Sequence, residues 1–362
     1  MTNSHSDYIP LFNGNPAAYS KGRQRWFWGL CTGLGFLALI NIAVLAKFFL
    51  SSKSVATPLD DYQILKPKFT TGRQDRISTN PTDPSTRAVV SSLYTDSFAY
   101  PVATLGHSIS ASNVTARRIL MYIPSQVSEH ALCIVRSAGW ELHPVARIAP
   151  PHEGHGVGSR FEDQYTKLNL WGLDRLGIES AVYLDADTLV RKPFDELFDL
   201  PFEFAAVPDV FPDDKDGGFK LGFNAGVLVL RPNNDTLVNM IATLEHARYL
   251  PGEAEQAFLN LYYGGEALRL PYVYNSNLAI KLRSTELWKA MMDDIRVVHY
   301  TTVKPFDFLG KEVPSLERAK ELLESRKAER GGIFREELGW WEETWKKTLR
   351  EPELQKCLEQ RS

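Results

Sequence analysis

The stretch Ala181–Arg191, AVYLDADTLVR, sets two carboxylates, Asp185 and Asp187, one residue apart at the end of an apolar run. If AVYL is a buried strand, residues two apart project to the same side. Both acids then face the crevice beyond the strand's carboxyl end, where open α/β sheets bind ligands. Two hard oxygen donors suit Mg²⁺ or Mn²⁺ shared with substrate phosphates. The same residues read equally well as an acidic turn capping a helix that Pro193 starts. On the triplet alone both readings stand.

The elements that must position these acids follow from the hydrophobic pattern. From Ala88 the chain alternates apolar runs with helical stretches: AVVSSLYT, RILMYIP, AVYLD, FEFAAVPD and GVLVLRP. Continuous apolar runs are the habit of strands covered on both faces, so an α/β fold with a mostly parallel sheet flanked by helices is predicted over 88–310. Phe161, Tyr165, Leu168, Trp171 and Leu176 recur at helical spacing before Gly177, a natural stop, and Lys167 lies in that helix. In NDTLVNMIATLEHARYL, residues Leu237, Met240, Ile241, Leu244 and Tyr249 share a face, with Asn234 or Asp235 as cap. Residues 311–362 read as a C-terminal helical extension; its Trp340, Trp341 and Trp345 either pack it onto the domain or line a sugar surface.

With 362 residues, 44% of them hydrophobic, the chain can bury a large core, and a net charge of −3 gives no reason to expect nucleic acid. Residues 26–50, WFWGLCTGLGFLALINIAVLAKFFL, carry no charge before Lys47 and read as one transmembrane signal anchor. Lys21, Arg23 and Arg25 crowd its N-terminal flank, which puts a tail of residues 1–25 in the cytosol and the bulk of the chain in the lumen. Residues 51–87 are rich in Ser, Thr, Pro and charge and read as a flexible stem. The sequons at Asn113 and Asn234 are compatible with a secretory route. Cys133 and Cys357 can form one disulfide, and no Cys/His cluster offers a zinc site.

Four blocks occur in order: QYTKLNLW, YLDADTLV, FNAGVLVLRP and VVHYTTVKPF. Together they resemble glycosyltransferase family 8, the glycogenin-like retaining transferases, over roughly Ser91 to Phe306. RFEDQYTKLNLW, with the anchor, is most similar to fungal Golgi N-acetylglucosaminyltransferases. The resemblance implies a GT-A-type domain that takes a UDP-sugar and Mn²⁺ and passes the sugar to a glycan, glycoprotein or glycolipid acceptor in the Golgi lumen. It implies that Asp185, Asp187 and His299 hold the metal, Asp185 also facing the ribose, and that Lys304 reaches the diphosphate. Lys167, Gln256 and Glu255 would serve catalysis near the donor sugar. Leu93, Tyr94 and Asp96 would grip uracil and ribose, and Asn224 and Arg160 would contact the sugar, with Gly226 permitting close backbone approach.

Two departures from the family pattern stand out. Glu255-Gln256-Ala257 replaces D-Q-G, and HYTTVK is one residue shorter than the usual segment and lacks its glycine. Retention by double displacement needs a nucleophile near the anomeric carbon, and Glu255 is the candidate; same-face attack assisted by the leaving phosphate needs none. Three rival readings are weighed. A glycogenin-like self-glucosylating primer conflicts with the anchor. An inactive Golgi scaffold conflicts with the intact Asp185, Asp187, His299 and Lys304. In haloacid-dehalogenase-like phosphatases one residue separates the second Asp from Thr, whereas Thr188 follows Asp187 directly.

Overall fold

In the computed structural model, strand β4 (Ser180–Leu184) lies at the centre of the sheet and carries the acids at its carboxyl end. The structure describes residues 32, 34–45, 82–210 and 222–359. Among them, the main sheet comprises β1 (Arg87–Leu93), β2 (Arg117–Tyr122), β3 (Glu141–Pro144), β4, β6 (Phe204–Pro208), β7 (Phe223–Leu230) and β8 (Leu268–Arg269), in the order β3-β2-β1-β4-β7-β6-β8. Pairing is parallel from β3 through β4 and between β6 and β8, while β7 runs antiparallel to both its neighbours. This is the mostly parallel α/β sheet that the continuous apolar runs predict. A second sheet of β5 (Thr188–Val190), β10 (Val297–His299) and β9 (Ser276–Asn277) pairs Thr188 with His299 and so sets the imidazole beside the acids.

Every residue of β1, β4 and β7 is buried, because each sheet face is covered. Val89, Val182, Leu184, Val227 and Val229 face α1 (Ala99–Ala111) and α2 (Glu129–Ser137) in one cluster; Val90, Tyr183 and Leu228 face Trp171 and Phe258 in the other. Alternation along the strands sorts neighbours to opposite cores. The segment Gln164–Leu176 is a run of 3-10 turns, not the expected amphipathic α-helix. It buries Tyr165, Thr166, Lys167 and Leu168 in succession, which a helix with one wet face does not do. Gly177 ends it at φ 74°, a left-handed conformation that favours glycine. Helix α3 (Asn234–Leu244) is capped by Asn233, which accepts from the Thr236 N–H, and not by Asn234 or Asp235; Ile241, expected on its inner face, is exposed.

The docked chain begins before Ala88. The Thr82 N–H donates to Asp199 Oδ1 at 2.8 Å, and Arg87 pairs with the same carboxylate at 3.0 Å. Helix α4 (Ala254–Tyr263) carries Glu255 and Gln256; α5 (Ala279–Arg283) and α6 (Thr285–Met291) follow. Helices α7 (Leu316–Ala328), α8 (Arg335–Thr348) and α9 (Pro352–Glu359) complete the described chain. Trp341 and Trp345 are buried with Tyr300, Phe306 and Trp288, and the Arg191 guanidinium lies 3.6 Å from the Trp340 ring centroid. These tryptophans pack the extension and do not form an open sugar platform. Cys133 on α2 and Cys357 on α9 form a disulfide with a Cα separation of 5.8 Å.

The N-terminal unit is separate by contacts from residues 57–362. Its residues 34–45 are helical and expose Leu34, Phe36, Leu39 and Ile42. Among the described residues no helix is long and apolar enough to cross a membrane. Most of the span expected over 26–50, the tail before it and the stem up to residue 81 lie outside the described residues.

Candidate active site

The chain leaves β4 through a tight turn. The Asp185 N–H donates to Gly226 O at 2.8 Å, and the Thr188 N–H and hydroxyl both donate to Asp185 O, at 3.0 and 2.8 Å. The triplet is therefore an acidic turn in its backbone, while its side chains do something further. Asp185, Asp187 and His299 each bring one ligand atom to within 4.8 Å of the others. His299 Nε2 lies 3.2 Å from Asp187 Oδ1, and Lys304 Nζ donates to Asp187 Oδ2. Burial alone would raise the Asp187 carboxyl, but Lys304 and His299 more than offset it and hold it well below the usual carboxylate range. Two carboxylates and one imidazole, largely shielded from water, form a donor set that fits Mn²⁺ or Mg²⁺.

Gly226 is needed here for a reason the sequence did not show. A Cβ at this position would overlap the His299 ring and crowd Asn224 Oδ1, so the close approach is by the imidazole.

On the other side of the triplet, Lys167 is 1% exposed. Its ammonium donates to Glu255 Oε1 at 2.7 Å and Ala225 O at 3.2 Å, and lies 3.1 Å from Asp185 Oδ1. Burial would lower its pKa, but Asp185 and Glu255 raise it, so Lys167 stays charged. Burial raises Glu255, and Lys167 pulls it partly back. Asp185 Oδ1 also accepts from the Tyr183 hydroxyl at 2.8 Å. Lys167 therefore does not snorkel to solvent; it is held inside the protein by Asp185, Glu255 and Ala225 O.

A third group of side chains lies beside these clusters. Gln256 Oε1 accepts from the Ala225 N–H at 3.0 Å, and its Nε2 donates to Asp209 Oδ2 at 3.0 Å. Asn224 Nδ2 lies 3.3 Å from both Asp209 Oδ1 and Gln256 Oε1. Asp209 and Asn275 were not singled out from the sequence. Asp209 is 6% exposed and its carboxyl is raised by burial, against the donors around it. Asp209 also lines an open cleft of about 250 Å³ with Tyr272, Arg283 and Ser284. The signal for Asp209 was the one used for Asp185: a carboxylate just past a buried apolar run, here FEFAAVPD.

The remaining expected residues are placed differently. Leu93 is fully buried in the core, so its side chain does not face a nucleotide. Tyr94 is 8% exposed and follows β1, which is buried to its last residue. Asp96 Oδ1 accepts from the Ser128 N–H at 2.8 Å, ahead of α2. Arg160 is exposed, with its guanidinium 4.4 Å from the Phe161 ring centroid.

The sequence profile of Glycosyl transferase family 8 matches residues 90–309, more than half of the chain. The chain belongs to glycosyl transferase family 8. Its transferase domain is 27% identical over 225 residues to a glycogenin of Neurospora crassa, covering 61% of this chain and 30% of that protein. It is 32% identical over 211 residues to galactinol synthase 2 of Arabidopsis thaliana, covering 50% of this chain and 59% of that one. Among solved structures, the glycosyltransferase GlyE of Streptococcus pneumoniae aligns with a TM-score of 0.43 at 18% identity, over 72% of this chain and 64% of that chain. The family 8 chain thus spans less than two thirds of each of these relatives.

Proposed function

We propose that this family 8 member transfers a sugar from a UDP-sugar to an acceptor hydroxyl, with retention at the anomeric carbon and a requirement for Mn²⁺. The observation that carries the reading is the convergence of Asp185, Asp187 and His299 between two lysines. Departure of a nucleoside diphosphate gathers negative charge, and charge-stabilising groups aimed at it lower the barrier. Asp185, Asp187 and His299 would hold the metal, which supplies Lewis-acid stabilisation of the diphosphate. Lys304, released from Asp187, would meet the phosphates, and Lys167 keeps a fixed positive charge below the sugar. Asn224 and Gln256 supply an ordered amide surface for sugar hydroxyls.

Same-face attack fits the geometry better than double displacement. Glu255 is 5% exposed and its Oε1 is bound to Lys167, so it serves as the counter-ion of that lysine. In the same-face route the bond from the anomeric carbon to the phosphate oxygen breaks, the bond to the acceptor oxygen forms, and the hydroxyl proton leaves with UDP. The acceptor would enter by the cleft at Asp209, where Asp209, Arg283 and Ser284 offer hydrogen-bonding groups beside Tyr272 and the aliphatic Val210, Ile280 and Leu287.

UDP-N-acetylglucosamine is the first donor to try, on the strength of RFEDQYTKLNLW. A Golgi membrane location, with residues 26–50 as anchor and the domain lumenal, is supported by the basic flank and by the Cys133–Cys357 disulfide, a bond typical of oxidising compartments. The test is incubation of the detergent-solubilised chain with Mn²⁺ and a panel of UDP-sugars, measuring UDP release against an Asp187→Ala control. Turnover of one donor above the control is expected. Equal release from both, for every donor, would defeat the reading.

A further inference from the structure

The two Asn-x-Thr triplets, Asn113-Val-Thr and Asn234-Asp-Thr, are treated differently by the fold. Asn113 is exposed in the turn between α1 and β2. Its N–H donates to Ser110 O at 3.1 Å, and its backbone stands at φ 57°, a left-handed conformation in which Asn is several-fold enriched. Its side-chain amide makes no hydrogen bond among the described residues. Thr115 is exposed too; its N–H donates to Asp195 Oδ1 at 2.8 Å and its hydroxyl donates to the same oxygen. The turn is thus held by its backbone and by Thr115, and the Asn113 amide has no part in holding it. Asn234-Asp-Thr is the opposite case, because it forms the first turn of α3. The Asn234 N–H donates to Asp174 Oδ2 at 2.9 Å, and Asn234 Oδ1 is enclosed without a partner. Thr236 is 7% exposed, and its N–H donates to Asn233 Oδ1 at 3.0 Å.

We propose that Asn113 is a modification site that carries an N-linked glycan, and that Asn234 stays bare. The proposal rests on the lumenal placement of the domain, since the donor, an oligosaccharide on a polyprenyl diphosphate, is used by an oligosaccharyltransferase of the secretory route. In the transfer, a bond forms between Asn113 Nδ2 and the anomeric carbon of the oligosaccharide, and the bond from that carbon to the phosphate oxygen breaks. The amide proton passes to a base of that transferase, and the carrier leaves with its diphosphate. Transfer precedes the tying of Thr115 to Asp195, and the fold then leaves the bulky, solubilising sugar in water. The site is also remote from the donor crevice. Strand β2 begins at Arg117 and runs parallel to β1, as β4 does, so the turn before β2 lies at the end of the sheet opposite Asp185 and Asp187. At Asn234 a glycan would have to sit on a helix start whose amide oxygen is already enclosed, so the chains that reach this fold are the unmodified ones.

The test uses the full chain made in a eukaryotic secretory host, with a C-terminal tag that carries its own Asn-Gly-Thr triplet. The protein is treated in heavy-oxygen water with an amidase that removes N-linked glycans and turns each freed Asn into a labelled Asp, and its peptides are read by mass spectrometry. Label is expected at position 113 and in the tag, with none at position 234. On gels of the untagged chain, the amidase should shift wild type and Asn234→Gln alike and leave Asn113→Gly unmoved; glycine suits that variant because it adopts the left-handed turn readily. A labelled tag with an unlabelled Asn113 overturns the proposal and leaves the lumenal placement standing. Label absent from both the tag and Asn113 defeats that placement, and the proposal with it. Label at Asn234 overturns the claim that the fold keeps that residue bare. The wild-type peptides decide each of these outcomes, so a variant that fails to fold does not block the test.

Discussion

The cluster at Asp185 and the cluster at Asp187 are two residues apart in the chain, and each joins a carboxylate to a lysine, yet they are closed in different ways. Lys167 has three donors and three acceptors within reach, in Glu255, Ala225 and Asp185, so its bonding capacity is used up inside the protein. Lys304 is bound to Asp187 and only loosely, at 3.5 Å, to Tyr300 O, and its side chain is 22% exposed. The first lysine belongs to the frame. On the proposed reading the second is exchangeable: it can leave Asp187 when a metal takes the carboxylate and phosphate takes the ammonium.

Four experiments would break or sharpen that contrast. The largest effect is expected from Asp187→Ala, which should abolish Mn²⁺ binding and lower turnover by about 10³-fold or more, since a catalytic metal contributes several kcal/mol. Retained Mn²⁺ binding in this variant would show that the exchangeable cluster is not a metal site. Next come Lys167→Met and Glu255→Gln, each of which strips one partner from a buried ion pair and should cost about 3–5 kcal/mol of unfolding free energy. In denaturant titrations the double variant should lose less than the two singles added together. Additive losses would mean that the frame cluster is not coupled.

Lys304→Met should behave in the opposite way. Its pair is partly exposed, so stability should change by about 1 kcal/mol or less, while turnover falls by about 10²-fold through loss of a charge aimed at the leaving group. A large stability loss with little change in turnover would reverse the roles given to the two lysines. The smallest effect concerns pH. The folded Asp187 carboxyl lies below its ordinary value of 3.8, so its stabilising contribution is fully present above that value and fades as pH falls below it. With chelator present, the stability difference between wild type and Asp187→Asn should be constant near pH 6 and shrink below about pH 4. A difference that instead shrinks as pH rises from 6 to 8 would contradict the assigned direction.

The sequence was most readable where chemistry coincides with a strand end. Asp185 and Asp187 follow an apolar run, and Lys167, His299 and Lys304 belong to ordered blocks, so all five converge as the blocks imply. Asp209 follows the same rule but is a single acid with no neighbouring motif. Asn275 could not be found this way: it joins the site only through Asn224, 51 residues away, at 3.0 Å, and through His299 Nδ1 at 2.9 Å. The small sheet was also hidden, because β5 and β10 are three residues each and too short to show alternation. Leu93 and Tyr94 are buried because β1 is covered on both faces up to Leu93 and the chain stays inside at the next residue, which an apolar run alone does not reveal.

The disulfide between Cys133 and Cys357 spans 224 positions of sequence. The ring it closes contains both lysines, both acids of the triplet, His299, Asn224 and Gln256. A protease that cuts any exposed loop inside that ring leaves two fragments still tied to each other, and the halves of the active site still linked. Such a nicked molecule would run as one species on a non-reducing gel and as two only after reduction, so limited damage need not release a piece of the enzyme.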